Sequence, residues 1–306
     1  MASSSTRAGP PRERIPGARA PYAARVDPRR AHPAAHPAAD PAAGPGARVL
    51  AAFGCTADPV PLPGGRGTSW RCGDLVLKPV DGDAAALAWA ERALGDRSSG
   101  RVRWGRPVRT RTGALTADGW AAWTHVAGRH EPRRWVDAIR AGEAFADALA
   151  DLPRPGHLAA RTDPWAVADR VAWGEADLPG LDRLPHVRAL RAARRPVAAP
   201  PQVVHGDLTG NVLLAPGLPP AVIDPSVYWR PVGFGSAVVV ADALAFEGAG
   251  PDLLGVPRDQ DERGQLLLRA VLFRVVTDHL LGTTPAPAAD PWPAVVALAL
   301  EHAARA

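Results

Sequence analysis

The sequence predicts an α+β protein, with a small, mostly antiparallel sheet in an N-terminal lobe and a larger, helical C-terminal lobe. Three observations carry this expectation. Short apolar runs separated by turn residues fill positions 69–126. After Gly128 the apolar residues recur at helical spacing. At Gln202 the texture changes again, to short apolar runs around a polar turn, before helical spacing resumes.

Residues 1–46 are rich in Pro, Ala and Arg and carry the quasi-repeat HPAAHPAADPAAGP from His32 to Pro45. Neither a helical nor a strand period is present, and such a segment buries too little apolar surface to offset its ordering entropy. A disordered tail is expected there; a mis-assigned start codon would leave the same composition. The N-lobe is expected over 47–126. It opens with a short helix at 49–53, and Val60-Pro61-Leu62 then leads into Gly64-Gly65-Arg66-Gly67-Thr68. Strands are expected at 69–72 and 75–80 about the tight turn Gly73-Asp74. Asp83 is the candidate N-cap of a helix over 84–94 that Gly95 ends. Further strands are expected at 102–109 and 120–126, joined through Thr112-Gly113. The C-lobe is expected over 127–306, with helices at 135–149, 164–173, 184–194, 236–246, 265–280 and 293–304. Short strands at 203–205, 212–214 and 221–223 interrupt them.

Composition narrows the function classes. The chain has 306 residues and a net charge of +5. Residues 1–48 hold eight arginines against Glu13, Asp27 and Asp40, which is the whole net charge, so the remainder sums to zero. A neutral folded part offers no general attraction to a nucleic-acid backbone. Cys55 and Cys72 are the only cysteines and lack metal-ligand spacing, so neither a disulfide framework nor a cysteine metal site is expected. No apolar run reaches membrane-spanning length, and no apolar segment follows Arg7 and Arg12, so a cytoplasmic protein is expected, with no membrane partner and no nucleic-acid partner for its folded part. Arginine is used 35 times and lysine once, at Lys78. A position that stays lysine in an arginine-rich chain points to a need for a compact ammonium rather than a planar fork.

The strongest motif is His205-Gly206-Asp207-Leu208-Thr209-Gly210-Asn211, followed by Val212-Leu213-Leu214 and then Ile223-Asp224. Phosphoryl transfer needs a carboxylate that receives the proton of the attacking hydroxyl and oxygen ligands for Mg2+. Asp207, Asn211 and Asp224 have the right chemistry in the right order, although an Asp and an Asn a few residues apart also make ordinary capped turns.

These residues resemble the catalytic and metal loops of the aminoglycoside phosphotransferase and choline kinase superfamily, small-molecule relatives of the protein kinases. The resemblance follows the motif order over about residues 60–250 and is sharp at 203–226. It implies a bilobal protein-kinase-like fold, ATP or GTP with Mg2+ as cofactors, and a small-molecule hydroxyl as acceptor. It also implies Asp207 as catalytic base and Asn211 and Asp224 as metal ligands. Two departures stand out. Asp207 and Asn211 are four residues apart where the family usually has five, and Pro225-Ser226 follows Asp224 in place of an aromatic or Leu and then Gly or Glu.

By the same resemblance, Lys78 contacts the nucleotide phosphates and pairs with an acid on the following helix, for which Glu91 is the candidate. Gly64, Gly65 and Gly67 stand ahead of Lys78, where their freedom would let backbone approach phosphate. No Gly-Lys-Ser/Thr follows, so the turn is not a Walker A loop. Residues 120–124 would be the hinge strand. Asp242 is expected to support the catalytic loop by bonding its backbone, and His205 to hold that loop.

A stretch of about eighty residues before His205 leaves room for a substrate subdomain, whereas only about a dozen separate Asp224 from the next helix. That favours a small acceptor over a polypeptide. A polycationic acceptor would need an acidic cleft, for which Glu143, Asp147, Asp151, Glu175 and Asp177 are available. The alternative is a non-catalytic nucleotide-binding module of the same fold, which the two departures favour.

Overall fold

The computed structural model describes residues 44–63, 67–80, 84–258, 261–286 and 289–305. Most of the expected tail, Gly64, Gly65 and the candidate cap Asp83 lie outside the described residues.

The first lobe is a six-stranded antiparallel sheet in the order β1-β2-β3-β7-β5, with β6 also on β7. Its strands are β1 (Val60–Pro61), β2 (Trp70–Cys72), β3 (Leu75–Pro79), β5 (Pro107–Val108), β6 (Thr116–Ala117) and β7 (Trp120–Thr124). β3 pairs along its whole length with β7, setting Lys78 opposite Ala121. β5 and β6 share the other edge of β7. Asp118 and Gly119 both have positive φ, the two-residue turn that matches strand twist, and they close the β6–β7 hairpin. Helix α1 (Ala47–Phe53) covers the sheet through Val49 and Phe53, which form a small core with Cys72, Leu77, Trp120 and Ala122.

The expected single strand at 102–109 is two. β4 (Arg103–Trp104) leaves the first sheet and pairs in parallel with β10 (Leu218–Val222), whose other edge carries β9 (Val212–Ala215). Only Pro107–Val108 joins β7. Pro219 and Pro220 in β10 fall where its register on β9 shifts, a place where missing amide donors are tolerated. Helix α2 (Ala84–Leu94) turns Ala90, Ala93 and Leu94 into the large core of the second lobe, and the Trp104 indole N–H caps its end by donating to Leu94 O at 3.1 Å.

The second lobe is helical: α3 (Trp135–Ala148), α4 (Pro164–Trp173), α5 (Pro185–Ala192), α6 (Val232–Asp242), α7 (Arg263–Leu281) and α8 (Trp292–Arg305). Asp163 caps α4 by accepting the Ala166 amide at 3.0 Å, and Pro164 begins it with its φ already set. α4, α6 and α8 pack around α7, and α3 lies against α6 and β8 (Gln202–His205). β11 (Val227–Arg230) pairs antiparallel with β8, an element the sequence reading lacked. Helix α6 begins earlier than expected, directly after Pro231, and its continuation is a π-turn over Ala243–Glu247. α6 is buried from Gly233 to Asp242, so it carries no polar face from which a boundary is readable.

Candidate active site

β8 delivers His205 to the end of the strand, and the chain turns away through Gly206. A Cβ at Gly206 would lie 2.4 Å from the Tyr228 ring, so only glycine lets the two segments touch. The Gly206 amide donates to Ser226 O at 2.8 Å, and the Asn211 amide to Leu208 O at 2.9 Å, which closes the loop before β9. The Ile223 amide then donates to Asn211 O at 3.0 Å, tying the loop after β10 to the first.

His205 joins these loops. Its Nδ1 accepts the Asp207 amide N–H at 3.1 Å, and its Nε2–H donates to Asp224 O at 2.9 Å and Ile223 O at 3.2 Å. This pattern needs the neutral ring with its proton on Nε2. Burial lowers the ring's pKa, and the nearby Asp207 charge and the two carbonyls only partly oppose it.

The Asp207 carboxylate is about one-quarter exposed, with a side-chain accessibility of 26%. Its Oδ1 accepts from Arg274 Nη2 at 2.8 Å, and its Oδ2 lies 3.4 Å from Asn211 Nδ2. The Asn211 amide nitrogen makes its shorter bond, 2.7 Å, to Asp207 O. Arg274, on α7, is fully buried and also holds Asp242, with Nε to Oδ1 at 2.9 Å and Nη2 to Oδ2 at 2.6 Å. Burial pushes the Asp242 carboxyl up to about 6 against the pull of Arg274. The partner expected for Asp242 was loop backbone; its two carboxylate oxygens instead go to this guanidinium, because an ionised buried carboxylate requires a counter-ion. Arg274 was not singled out in the sequence. Its signal was a charge amid the apolar run from Leu266 to Val276.

Asp224 follows β10 with φ +51°, in the left-handed region, and its side chain is half exposed. Its Oδ1 forms an ion pair with the Lys78 ammonium. Lys78, Asp207, Asn211 and Asp224, expected to act together, are thus linked in one network through His205. The expected Lys78–Glu91 pair is absent. Glu91 is gripped by Arg109 of the neighbouring strand segment, through Nη2 to Oε2 at 2.7 Å and a second bond from Nε to Oε1. Arg109 also donates to Gly113 O at 2.6 Å. The fork of an arginine on an adjacent segment matches both carboxylate oxygens, which a single ammonium cannot do.

Gly67 has φ +69°, and space around its Cβ position is open. In the candidate hinge strand, Trp120, Ala121 and Ala122 are buried. The Thr124 amide donates to Arg106 O and the His125 amide to Asp74 O, each within 2.8 Å. Those two donors are committed to protein, so a base edge would have to be met beyond them.

Among the described residues there is no group of three or more His, Cys, Asp or Glu side chains that could hold a metal. Asn211 and Asp224 offer an amide oxygen and a carboxylate, the hard oxygen donors that suit Mg2+, which commonly keeps several waters and takes few protein ligands. A cleft flanks the loop after Asp207, lined by Trp135, Ala138, Leu208, Thr209, Val239 and Glu247 among others. Across it the Trp135 indole N–H donates to Glu247 Oε2 at 2.7 Å.

The five acids available for an acidic cleft are each tied to arginine. Glu143 pairs with Arg140 at 3.1 Å and accepts the Arg258 amide at 2.8 Å. Asp147 binds Arg258 at 2.6 Å and Arg101 at 2.9 Å, and Asp151 binds Arg97 at 2.7 Å. Glu175 binds Arg230 at 2.8 Å and Asp177 binds Arg191 at 3.0 Å. These arginines hold the Asp147, Asp151 and Glu175 carboxyls below their usual range. No helix among the described residues is long and apolar enough to cross a membrane.

No protein family and no curated protein matches the chain by sequence comparison. Several solved structures are similar to the chain. A choline/ethanolamine kinase family protein from Mesorhizobium loti is 18% identical, with 82% of this chain and 98% of that chain covered and a TM-score of 0.46. Spectinomycin phosphotransferase in complex with ADP and spectinomycin is 13% identical over 84% of this chain and 92% of its own, with a TM-score of 0.47. An aminoglycoside phosphotransferase from Alicyclobacillus acidocaldarius is 13% identical over 78% and 90%, with a TM-score of 0.44. At these identities and TM-scores the likeness carries no argument.

Proposed function

We propose that the protein is a small-molecule kinase that transfers the γ-phosphoryl group of ATP or GTP to an acceptor hydroxyl. The observation that supports this best is the His205-centred network, in which one neutral ring fixes the backbone of Asp207 and of Asp224 together. Asp207 orients the acceptor hydroxyl and takes its proton as the acceptor oxygen bonds to the γ-phosphorus and the β–γ bridging bond breaks. Oδ1 is held by the Arg274 cation at 2.8 Å and Oδ2 only by the long 3.4 Å contact from Asn211, so Oδ2 is the more open oxygen to receive the proton. Asn211 and Asp224 would hold Mg2+, which supplies charge neutralisation on the nucleotide phosphates when bound. Lys78 exchanges Asp224 for a phosphate oxygen. The acceptor enters the cleft beside Leu208 and Thr209, and the arginine-tied acids around the lobe favour an acceptor of low positive charge over a polycation.

The test is Mg2+-dependent nucleotide consumption across a panel of hydroxylated metabolites, with transfer of label to the acceptor. Asp207→Asn is expected to lower turnover by about 100-fold or more while the nucleotide-induced thermal shift persists. Turnover unchanged in Asp207→Asn would remove Asp207 as the base. A non-catalytic nucleotide-binding module is the second reading, favoured by the Lys78–Asp224 and Arg109–Glu91 pairs, which occupy two groups the reaction would use. It predicts a thermal shift with nucleotide and no consumption with any acceptor.

A further inference from the structure

The residue that no motif marks, Arg274, lies under the candidate base. We propose that Arg274 is a positioning residue that sets the Asp207 carboxylate, leaving only Oδ2 for the acceptor; this rests on the phosphotransferase reading above. Arg274 is fully buried on α7, and its Nη2 reaches two carboxylates at once, Asp207 at 2.8 Å and Asp242 at 2.6 Å. Asp242 also receives Nε at 2.9 Å, so the guanidinium plane is fixed by a bidentate clamp. A planar fork locked by one carboxylate presents its remaining donor direction to the other in a fixed place. A lysine ammonium could neutralise Asp242 but could not transmit that orientation.

The arrangement also explains why a charge is kept here. A buried pair contributes little net stability over apolar residues of similar volume. The Arg274–Asp242 pair is anchored in the tightly packed centre of the second lobe, whereas Asp207 is part of a turn at the edge of the cleft. The pair thus transfers the rigidity of the core to a partly exposed carboxylate, which the loop's own backbone bonds do not restrain beyond its Cα.

Two variants test this. Arg274→Met/Asp242→Leu removes both buried charges together and is expected to fold, since nothing is left unpaired between them. Arg274→Lys keeps the counter-ion for Asp242. In both, nucleotide KM is expected to stay within about twofold and kcat to fall by about 100-fold, the effect of a misplaced reacting group. A crystal structure of either variant is expected to show the Asp207 carboxylate turned or split between rotamers. A purely structural role predicts the opposite: the double variant would recover parental kcat once its stability matched the parent's. Parental kcat, or an unmoved Asp207 carboxylate, in whichever variant folds overturns the proposal. If the parent protein itself phosphorylates nothing, the kinase reading fails, and the position of Asp207 in the variant structures still decides the role of Arg274.

Discussion

The Lys78 ammonium and the Asp224 carboxylate form an ion pair that bridges the strand β3 of the first lobe and the loop after β10 in the second. Their side chains are 20% and 51% exposed, so solvent screens the pair and its contribution to stability is about 0–1 kcal/mol. On the kinase reading, nucleotide phosphate would compete with Asp224 for this ammonium. Asp224→Asn is therefore expected to change unfolding free energy by under about 1 kcal/mol. In thermal-shift titrations the same variant should lose the Mg2+-dependent part of nucleotide stabilisation.

Glu91 and Arg109 bind one another in the first lobe, and Arg109 also donates to Gly113 O, so removing Arg109 should cost slightly more than removing Glu91. A double-mutant cycle on Glu91→Ala and Arg109→Ala is expected to give a coupling of about 0.5 kcal/mol. Nucleotide affinity should stay within about twofold in both single variants. A loss confined to Glu91→Ala would show that Glu91 leaves Arg109 for Lys78 when nucleotide binds.

Gly206→Ala places a methyl group into the Tyr228 ring, where the paired β8 and β11 and the Gly206 amide bond to Ser226 O hold the two segments together. Overpacking of this kind costs about 1–3 kcal/mol. Chemical denaturation should register that loss, and turnover should fall with it because Asp207 is the next residue.

The pH dependence of stability separates two buried groups of opposite sign. The Asp242 carboxyl is raised from 3.8 to about 6 in the folded state, so the folded form binds more protons between these values and its stability contribution declines as pH rises from about 4 to about 6. His205 is lowered, so the unfolded chain binds the extra proton and stability falls as pH drops through the ordinary histidine range. Measured as a difference between parent and Asp242→Asn, the first effect should appear alone. The parent's advantage should shrink by up to about 3 kcal/mol from pH 4 to pH 6 and stay level above it.

Much of the architecture was legible because its signals are local. Helix α4 was expected over 164–173, and it runs over Pro164–Trp173. Helix α2 likewise has the expected limits. The division of residues 102–109 between two sheets was not legible, since the partner of Arg103–Trp104 is more than a hundred residues away. The chain does turn at Thr112-Gly113, and the β6–β7 hairpin carried a second turn signal in Asp118-Gly119. Around the candidate site, the order Lys78, Asp207, Asn211, Asp224 was readable, but the choice of ionic partners was not. With arginine at 35 positions, nothing in the sequence distinguishes the arginine that grips Glu91 from those that face water, and the apolar run around Arg274 marks it as buried without naming Asp242 as its partner. Which charge meets which is settled by packing, at α7 and across β7, and the sequence carries no local trace of it.

Asp224 sits in a left-handed conformation directly ahead of a proline. That conformation is comfortable for Gly, tolerable for Asn and Asp, and costly for nearly every other residue. The genetic code places Asn and Gly a single base change from Asp. The mutations this backbone accepts most readily are thus ones that keep the fold and delete the carboxylate. On the kinase reading, either substitution would remove the proposed metal ligand and the ion pair with Lys78 while leaving the turn of the backbone in place.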